Sequence, residues 1–365
     1  MRYLLCLNFA LFSFFGFSQS REVPKKFVLD AHQFYGSILL HNPDISHLIT
    51  EHPGGLILGI SRKTYGDKEW EADFGYPDTG FTFVYQNTNN ATLGEHFGLY
   101  GHYNFYFFNR KVQLRVAQGL AYNTNPYDKN ENFRNNAYGS HILSSTTLMF
   151  NYHQRIVSGL GLDAGLAFIH YSNANFKAPN TSTNTFALNF GITYELESDT
   201  TYEYLHPEST GITTEPIRYN FVLRGGANES DVINMGRYGF AIVSAYADKR
   251  LGKRSAIQLG TDVFFSNFLK ELIRYQSISF PELDVDPDTD YKRVGVFLGH
   301  ELFVNKMSVV AQLGYYVYYP FDFEGRMYNR IGMKRYFGNK IFGALTLKSH
   351  GAKAEAVEFG IGVRL

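Results

Sequence analysis

The feature that most constrains the fold is a strict alternation of residue types over 160–172. One set of positions is apolar: Leu160, Leu162, Ala164, Leu166 and Phe168. The intervening set is Gly161, Asp163, Gly165 and Ala167. Successive side chains of a β-strand point to opposite faces, so this period of two predicts a strand with one apolar face. By the same parity, His170 and Ser172 lie on the apolar face.

Alternating segments of this kind recur along the chain, each near the ~9–11 residues that a strand needs to cross a bilayer. We predict strands near 27–40, 54–65, 80–87, 93–108, 111–122, 141–155, 160–172, 183–195, 216–226, 237–250, 254–266, 291–303, 307–319, 325–336, 340–349 and 353–364. The chain is 17% aromatic and has 34 glycines. We therefore expect an all-β fold, a transmembrane antiparallel β-barrel of roughly 14–16 strands. The alternative is a soluble all-β sandwich.

The first residues have the pattern of a secretory signal peptide, which we place at 1–18. Arg2 precedes an apolar run over 4–17, and small residues follow. The single cysteine, Cys6, lies inside this run, so the mature chain is expected to have no disulfide and no thiolate metal site. The formal net charge is zero, which gives no reason to expect a nucleic-acid partner.

The connections between predicted strands differ in length in a regular way. Tight turns fall at 108–111, 158–159, 251–253, 304–306 and 337–340, and longer polar loops at 123–140, 172–183, 227–237 and 267–290. Short periplasmic turns and long outer loops are typical of outer-membrane barrels, so the end of strand 160–172 is predicted to lie on the outer side. The segments 66–79 and 196–215 are long where short turns are expected. They indicate either a miscounted strand or periplasmic insertions.

His170 and Ser172 are the candidate catalytic pair. Residues i and i+2 of a strand share a face, which puts the imidazole near the hydroxyl, and ester hydrolysis by serine needs such a base. The turn at Asn173 to Asn175 offers backbone N–H groups as an oxyanion hole, and Asn180 is a further donor. The alternative is a pair of polar residues at the membrane rim.

Three stretches around this pair resemble a known family. They are Phe168-Ile169-His170-Tyr171-Ser172-Asn173-Ala174, then Lys177-Ala178-Pro179-Asn180, then the strand over 186–194. They are similar to the signature of the PagL-type lipid A 3-O-deacylases, which are grouped with the acyloxyacyl hydrolases. The resemblance implies an outer-membrane barrel that needs no cofactor and removes an ester-linked acyl chain from the lipid A of lipopolysaccharide. It also implies that Ser172 is the nucleophile and His170 the base.

The resemblance has two departures. The family's acid lies twelve residues beyond the serine, and Asn184 stands there. An asparagine can hold an imidazole tautomer but cannot stabilise the imidazolium by charge. Glu355 is a possible alternative acid, because its parity matches Val357 and Phe359. The second departure is Asn175, where the family favours glycine.

The resemblance is specific over 160–195 and organises the chain. We expect a deacylase-like barrel half over 19–195, a connecting segment over 196–215 and additional barrel strands over 216–365. One enlarged barrel is favoured over two separate ones. The alternative function is a non-catalytic outer-membrane barrel, either a pore or a lipopolysaccharide-binding structural protein. A carboxylate within reach of His170 would favour the hydrolase.

Two further groups of polar residues occur in predicted loops. His41, His47 and His52 cluster in the first loop, where interfacial polar residues are favoured over a metal site. Four basic residues lie in or beside outer loops: Lys129, Arg134, Lys177 and Arg274. They are candidates for binding lipid A phosphates, and the alternative is solvated loop charge. The expected partners are therefore lipopolysaccharide and outer-membrane lipids.

Overall fold

The computed structural model describes residues 26–196, 203–206, 215–304, 306–338 and 340–365, so the proposed signal peptide lies outside the described residues. The first eight strands are β1 (Phe27–Ile38), β2 (Gly54–Arg62), β3 (Asp78–Asn87), β4 (Glu95–Phe107), β5 (Val112–Asn123), β6 (Ile142–Val157), β7 (Leu160–Ser172) and β8 (Thr183–Glu195). The next eight are β9 (Arg218–Asn228), β10 (Tyr238–Arg250), β11 (Ser255–Ser266), β12 (Arg293–Val304), β13 (Met307–Tyr318), β14 (Met327–Phe337), β15 (Ile341–His350) and β16 (Lys353–Arg364).

Helices are few and short. They are α1 (Glu69–Asp73), α2 (Asn267–Ser279) and two 3₁₀ turns, Pro43–Leu48 and Pro281–Leu283. In the part of the chain that the structure describes, none of the helices has the length and apolar character needed to cross a membrane. The prediction of an all-β antiparallel barrel fold with roughly sixteen strands is confirmed.

The strands form two closed barrels, β1–β8 and β9–β16, so the expectation of one enlarged barrel is wrong. Strand β8 pairs antiparallel with β1 from Val28↔Glu195 to Ile38↔Thr185, and this pairing closes the first barrel. Because both edges of a closed barrel are paired, no free edge remains for β9 to extend. Strand β9 pairs instead with β16, from Asn220↔Arg364 to Gly225↔Phe359.

Each barrel has an apolar outer surface and a polar interior. Outward side chains are bulky and exposed, for example Leu99, Leu120 and Phe190 at 63%, 63% and 66%. Inward side chains form hydrogen-bonded charge networks. In the first barrel, Arg115 makes a bidentate contact of 2.9 and 2.6 Å with Asp30. In the second barrel, buried Arg330 likewise contacts Glu358 at 2.6 and 3.1 Å and Asp262 at 2.8 Å. Eight strands enclose a lumen narrow enough for side chains to fill, and these buried networks occupy the interior of both barrels.

The loops that follow odd-numbered strands gather at one end of each barrel, which we call the long-loop end. At this end of the first barrel, residues of three loops pack together and are fully or almost fully buried: Ile45, Leu48, Leu93 and Tyr138. At the long-loop end of the second barrel, α2 buries Phe268, Leu269, Leu272 and Ile273. The site described below lies at the long-loop end of the first barrel.

The two barrels contact each other at both ends. At the long-loop end, the β7–β8 loop meets the β9–β10 loop, where the N–H of Glu229 donates to the carbonyl of Asn175 at 2.9 Å. At the opposite end, Lys253 forms an ion pair with Glu69 of α1. The segment 66–79 therefore holds a helix and a barrel contact, and no strand was miscounted there.

Candidate active site

Strands β7 and β8 bring His170 and Asn184 together as direct cross-strand partners. The imidazole Nδ1 lies 2.7 Å from Oδ1 of Asn184. Both residues share the outer face with exposed Leu166 and Phe186, as the parity of the sequence predicts. The pair therefore lies on the outer face of the barrel and not in its lumen.

This hydrogen bond selects one form of the neutral imidazole. The amide oxygen of Asn184 can only accept a hydrogen bond, so Nδ1 of His170 carries the proton and donates it. The other nitrogen, Nε2, is then left with its lone pair. A neutral imidazole with a free Nε2 is the form that can take a proton from a serine hydroxyl.

Ser172 ends β7 and is 5% exposed, beneath the loop that follows it. Its hydroxyl donates to Oδ1 of Asn180 at 3.1 Å and accepts from the backbone N–H of Ala174 at 2.9 Å. Within the described residues, no hydrogen bond joins Ser172 directly to His170. The two share a face of β7 at positions i and i+2, and the Ser172 hydroxyl is directed to Asn180 instead of His170.

The loop after Ser172 joins the three asparagines into one network. Oδ1 of Asn180 also accepts from the N–H of Asn173 at 2.8 Å, and Nδ2 of Asn180 donates to Oδ1 of Asn175 at 3.0 Å. Ala174 and Asn175 have φ of 53° and 58°, in the left-handed region. Asparagine tolerates this region better than most residues, which explains how Asn175 occupies a position where glycine is the usual choice.

Glu355 does not face lipid, and the prediction that it does is wrong. It is 4% exposed inside the second barrel, where Arg293 contacts it at 2.6 and 3.1 Å and His350 at 2.7 Å. A β-bulge at Lys348/Ser349 shifts the register of β15 against β16, which turns Glu355 inward while Phe359 still points outward. Its carboxylate is therefore committed to Arg293, Lys348 and His350.

The structure predicts a stability role for Glu355. Glu355→Gln removes the anion that three buried cationic or basic side chains share, and breaking such a buried pair costs about 3–5 kcal/mol. We expect a lower midpoint in urea unfolding of the folded protein in detergent. Any ester hydrolysis measured below that midpoint should match the wild type. A loss of activity without loss of stability would contradict this assignment.

The loop histidines and the basic residues are dispersed. Nε2 of His41 lies 3.0 Å from the carbonyl of Thr181, His47 contacts the carbonyl of Arg134, and His52 contacts Ser37. The described residues hold no group of three or more potential metal ligands. Among the basic candidates, Lys177 lies in the site loop and is exposed, whereas Lys129 and Arg134 lie in the β5–β6 loop and Arg274 lies in α2 of the second barrel.

Sequence reasoning missed the second barrel's contribution to this site. Oε2 of Glu229 accepts from the N–H of Ala178 at 2.9 Å, and Nδ2 of Asn175 donates to Asp231 at 3.3 Å. Nothing in the sequence points to Glu229 or Asp231, because they lie more than fifty residues beyond the motif in an ordinary polar loop. Only the closure of two adjacent barrels brings them to the site.

The fold defines a β-barrel protein that carries a histidine and a serine on the outer face of one strand. The family model described as lipid A 3-O-deacylase (PagL) matches residues 54–193, and the model described as acyloxyacyl hydrolase, C-terminal domain, matches residues 217–365. These two matches cover most of the chain. The chain therefore belongs to the PagL lipid A 3-O-deacylase and acyloxyacyl hydrolase family. Membership of this family supports lipid A deacylation as the general activity of the protein.

Comparisons with other proteins add little to this assignment. No curated protein matches the chain. Among solved structures, two engineered variants of the Rhodopseudomonas blastica porin match with 12% identity over 93% of this chain and 99% of the porin. Their TM-scores are 0.20 and 0.19. Scores of this size do not establish a shared architecture.

Proposed function

We propose that this protein hydrolyses an ester-linked acyl chain of lipid A with Ser172 as the nucleophile and His170 as the general base. The observation that carries the proposal is the 2.7 Å contact between Nδ1 of His170 and Oδ1 of Asn184, on the outer surface two residues from Ser172. It leaves Nε2 of His170 free to accept the serine proton.

The reaction begins when the Ser172 hydroxyl turns from Asn180 to Nε2 of His170. Hydrogen bonds to catalytic groups often form fully only once substrate is bound, so the ground-state arrangement is compatible with this step. Oγ attacks the ester carbonyl as its proton passes to His170. As the intermediate collapses, the C–O bond to lipid A breaks and the protonated imidazole gives its proton to the departing oxygen, which leaves as a lipid A hydroxyl. Water then hydrolyses the acyl-serine to a free fatty acid and Ser172, with His170 again as the base.

The loop supplies the donors for the tetrahedral oxyanion. The N–H of Ala174 donates to Oγ of Ser172 before reaction, whereas Asn180 presents its acceptor oxygen Oδ1 to the same hydroxyl and donates from Nδ2 to Asn175. When Oγ becomes bonded to the acyl carbon, the N–H of Ala174 lies close to the developing negative charge, and Asn180 joins it as a donor once its amide turns to present Nδ2. Preorganised donors of this kind are worth about 10²–10³ in turnover each.

The surroundings of the site suit an acyl chain that remains in the bilayer. Leu166, Phe186 and Leu188 are exposed on β7 and β8 at 39%, 44% and 59%. Each offers apolar surface along the strand below His170, so the substrate need not leave the membrane. Lys177 is exposed in the site loop and is our candidate contact for a lipid A phosphate.

Mass spectrometry of lipid A from cells with and without the protein tests the function directly. We expect a species lighter by one ester-linked acyl chain only when the protein is present. An unchanged lipid A profile, together with no fatty acid release by purified protein, would favour a non-catalytic lipopolysaccharide-binding barrel. The neutral Asn184 beside His170 is the observation that favours this alternative. The charged side chains that occupy the barrel interiors disfavour a pore.

We also propose that the long-loop end faces the cell exterior, which places the site in the outer leaflet. An epitope tag at exposed Asn130, in the β5–β6 loop, should bind antibody on intact cells. A tag at Asn109, in the tight β4–β5 turn, should bind only after the outer membrane is permeabilised. The opposite labelling pattern would invert the orientation.

A further inference from the structure

We propose that the second barrel positions the active-site loop of the first barrel, and that Glu229 is the positioning residue. The proposal rests on the serine hydrolase mechanism above. Glu229 is 5% exposed, and its carboxylate accepts from the N–H of Ala178 at 2.9 Å and from the N–H of Gly236 at 3.0 Å. Its own N–H donates to the carbonyl of Asn175 at 2.9 Å. One buried residue thus joins the loops of both barrels.

A continuous path of hydrogen bonds leads from this contact to the nucleophile. The amide of Asn175 donates to Asp231 of the second barrel at 3.3 Å, and its oxygen accepts from Asn180 at 3.0 Å. Asn180 in turn accepts from the hydroxyl of Ser172 at 3.1 Å. A shift of Asn175 would therefore move the group that holds Ser172.

The second barrel offers a firm support for this loop. Lys353 at the start of β16 forms ion pairs with both Asp231 and Glu324. Val232 and Met235 pack against the cluster of buried side chains around α2. The β9–β10 loop is therefore held from two sides by its own barrel and can transmit that rigidity to its neighbour.

The active-site loop needs such support because of its backbone. Ala174 and Asn175 are consecutive residues with φ of 53° and 58°. For an L-residue, the left-handed region costs about 1–2 kcal/mol, and such conformations persist where surrounding contacts over-determine them. Asn175 receives contacts from Glu229 and Asp231 on the second barrel, so the second barrel adds to the loop's own hydrogen bonds in holding it in its strained form.

The test replaces Glu229 in the full-length protein. We expect Glu229→Ala to increase deuterium uptake at residues 173–180 and to lower kcat on the order of 10–10²-fold, because small misplacements of reacting groups carry costs of this size. KM should change less than about twofold, since the acyl-chain contacts on β7 and β8 are untouched. Glu229→Gln keeps one acceptor oxygen and should give a smaller loss of kcat.

Glu69→Ala is the matched control. It removes an inter-barrel ion pair with Lys253 at the opposite end and should leave both the loop exchange and kcat unchanged. Heat-modifiable gel migration checks that every variant is folded. Wild-type kcat and wild-type loop exchange in Glu229→Ala would overturn the proposal, and so would an equal loss in Glu69→Ala.

The two readouts separate this proposal from the proposed function. A wild type that releases no fatty acid would refute hydrolysis and with it the effect on kcat. Deuterium uptake requires no substrate, so it still decides whether Glu229 holds the loop. Faster exchange in Glu229→Ala with normal kcat would refute the catalytic role of the contact alone.

Discussion

Ser172→Ala is expected to reduce fatty acid release from lipopolysaccharide by about 10³-fold or more, because removing the nucleophile of a serine triad leaves only the contribution of binding and oxyanion donors. His170→Asn should produce a loss of similar size, since no other base is hydrogen-bonded to Asn184 among the described residues. Combining the two changes should cost little more than either one alone, as expected of groups that act as a unit. Release is measured on purified protein with lipopolysaccharide in detergent.

Ser144→Ala is the control for the serine change. Ser144 lies directly opposite Ser172 on β6 and hydrogen-bonds Gln118, so it removes a hydroxyl from the same surface without touching the imidazole. We expect it to retain near-wild-type activity. Loss of the half-buried Ser144 hydroxyl costs little stability. The buried Ser172 hydroxyl makes two hydrogen bonds of about 0.5–1.5 kcal/mol each, a loss that a closed barrel tolerates, so both serine variants should keep their heat-modifiable gel migration. Full activity of folded Ser172→Ala would remove this serine from the mechanism.

Alternation alone was sufficient to predict the strands but not the way they close. The predicted strand over 160–172 coincides with β7, because its side-chain period requires one lipid face and one packed face. Closure depends on which strand pairs with β1. A strand of alternating pattern can pair with β8 or with β16 and keep the same faces, so parity does not distinguish one sixteen-strand barrel from two of eight.

For the site as well, local sequence identified the neighbouring residues, whereas residues distant in sequence were misplaced or missed. Parity on one strand places His170 and Ser172 on the outer face, and the family resemblance points to Asn184 at the position of the acid, so all three were accessible from sequence. Glu355 was misplaced because one bulge reverses every orientation beyond it, and bulges leave no clear mark in a single sequence. Glu229 was missed because its role depends on contact between two separately closed barrels.

The inward position of Glu355 sharpens the question of the missing acid. Among the described residues, the hydrogen-bond partner of Nδ1 of His170 is a neutral amide, so the imidazolium that forms during attack has no hydrogen-bonded carboxylate. An anion at this position would stabilise that charge, as it does in Ser-His-Asp and Ser-His-Glu sites. The present Asn184 already fixes the correct tautomer, so charge is the part that is lacking.

Asn184→Asp is therefore expected to raise kcat/KM by on the order of 10–10²-fold. Aspartate has the shape of asparagine and can accept from Nδ1 of His170 at the same place, which is 2.7 Å away in the wild type. The gain should be smaller than the ~10⁴-fold lost when asparagine replaces the aspartate of a serine protease, because part of that loss arises from the wrong tautomer. Asn184→Glu should give a smaller gain than Asn184→Asp, since its longer side chain must fold back to reach Nδ1.

A control variant must show that a gain in Asn184→Asp comes from the charge beside His170 and not from a general effect of negative charge on substrate binding. Gln118 and Thr146 form a polar patch near His170 that allows this control. Gln118 is exposed on β5 and accepts from Thr146, the cross-strand neighbour of His170 on β6. Gln118→Glu adds the same charge to the patch without contacting the imidazole, so it should leave kcat unchanged. A gain in Asn184→Asp alone would show that the wild-type site is limited by its neutral partner. Equal rates in the wild type and Asn184→Asp would show that orientation of His170 is all that this position contributes.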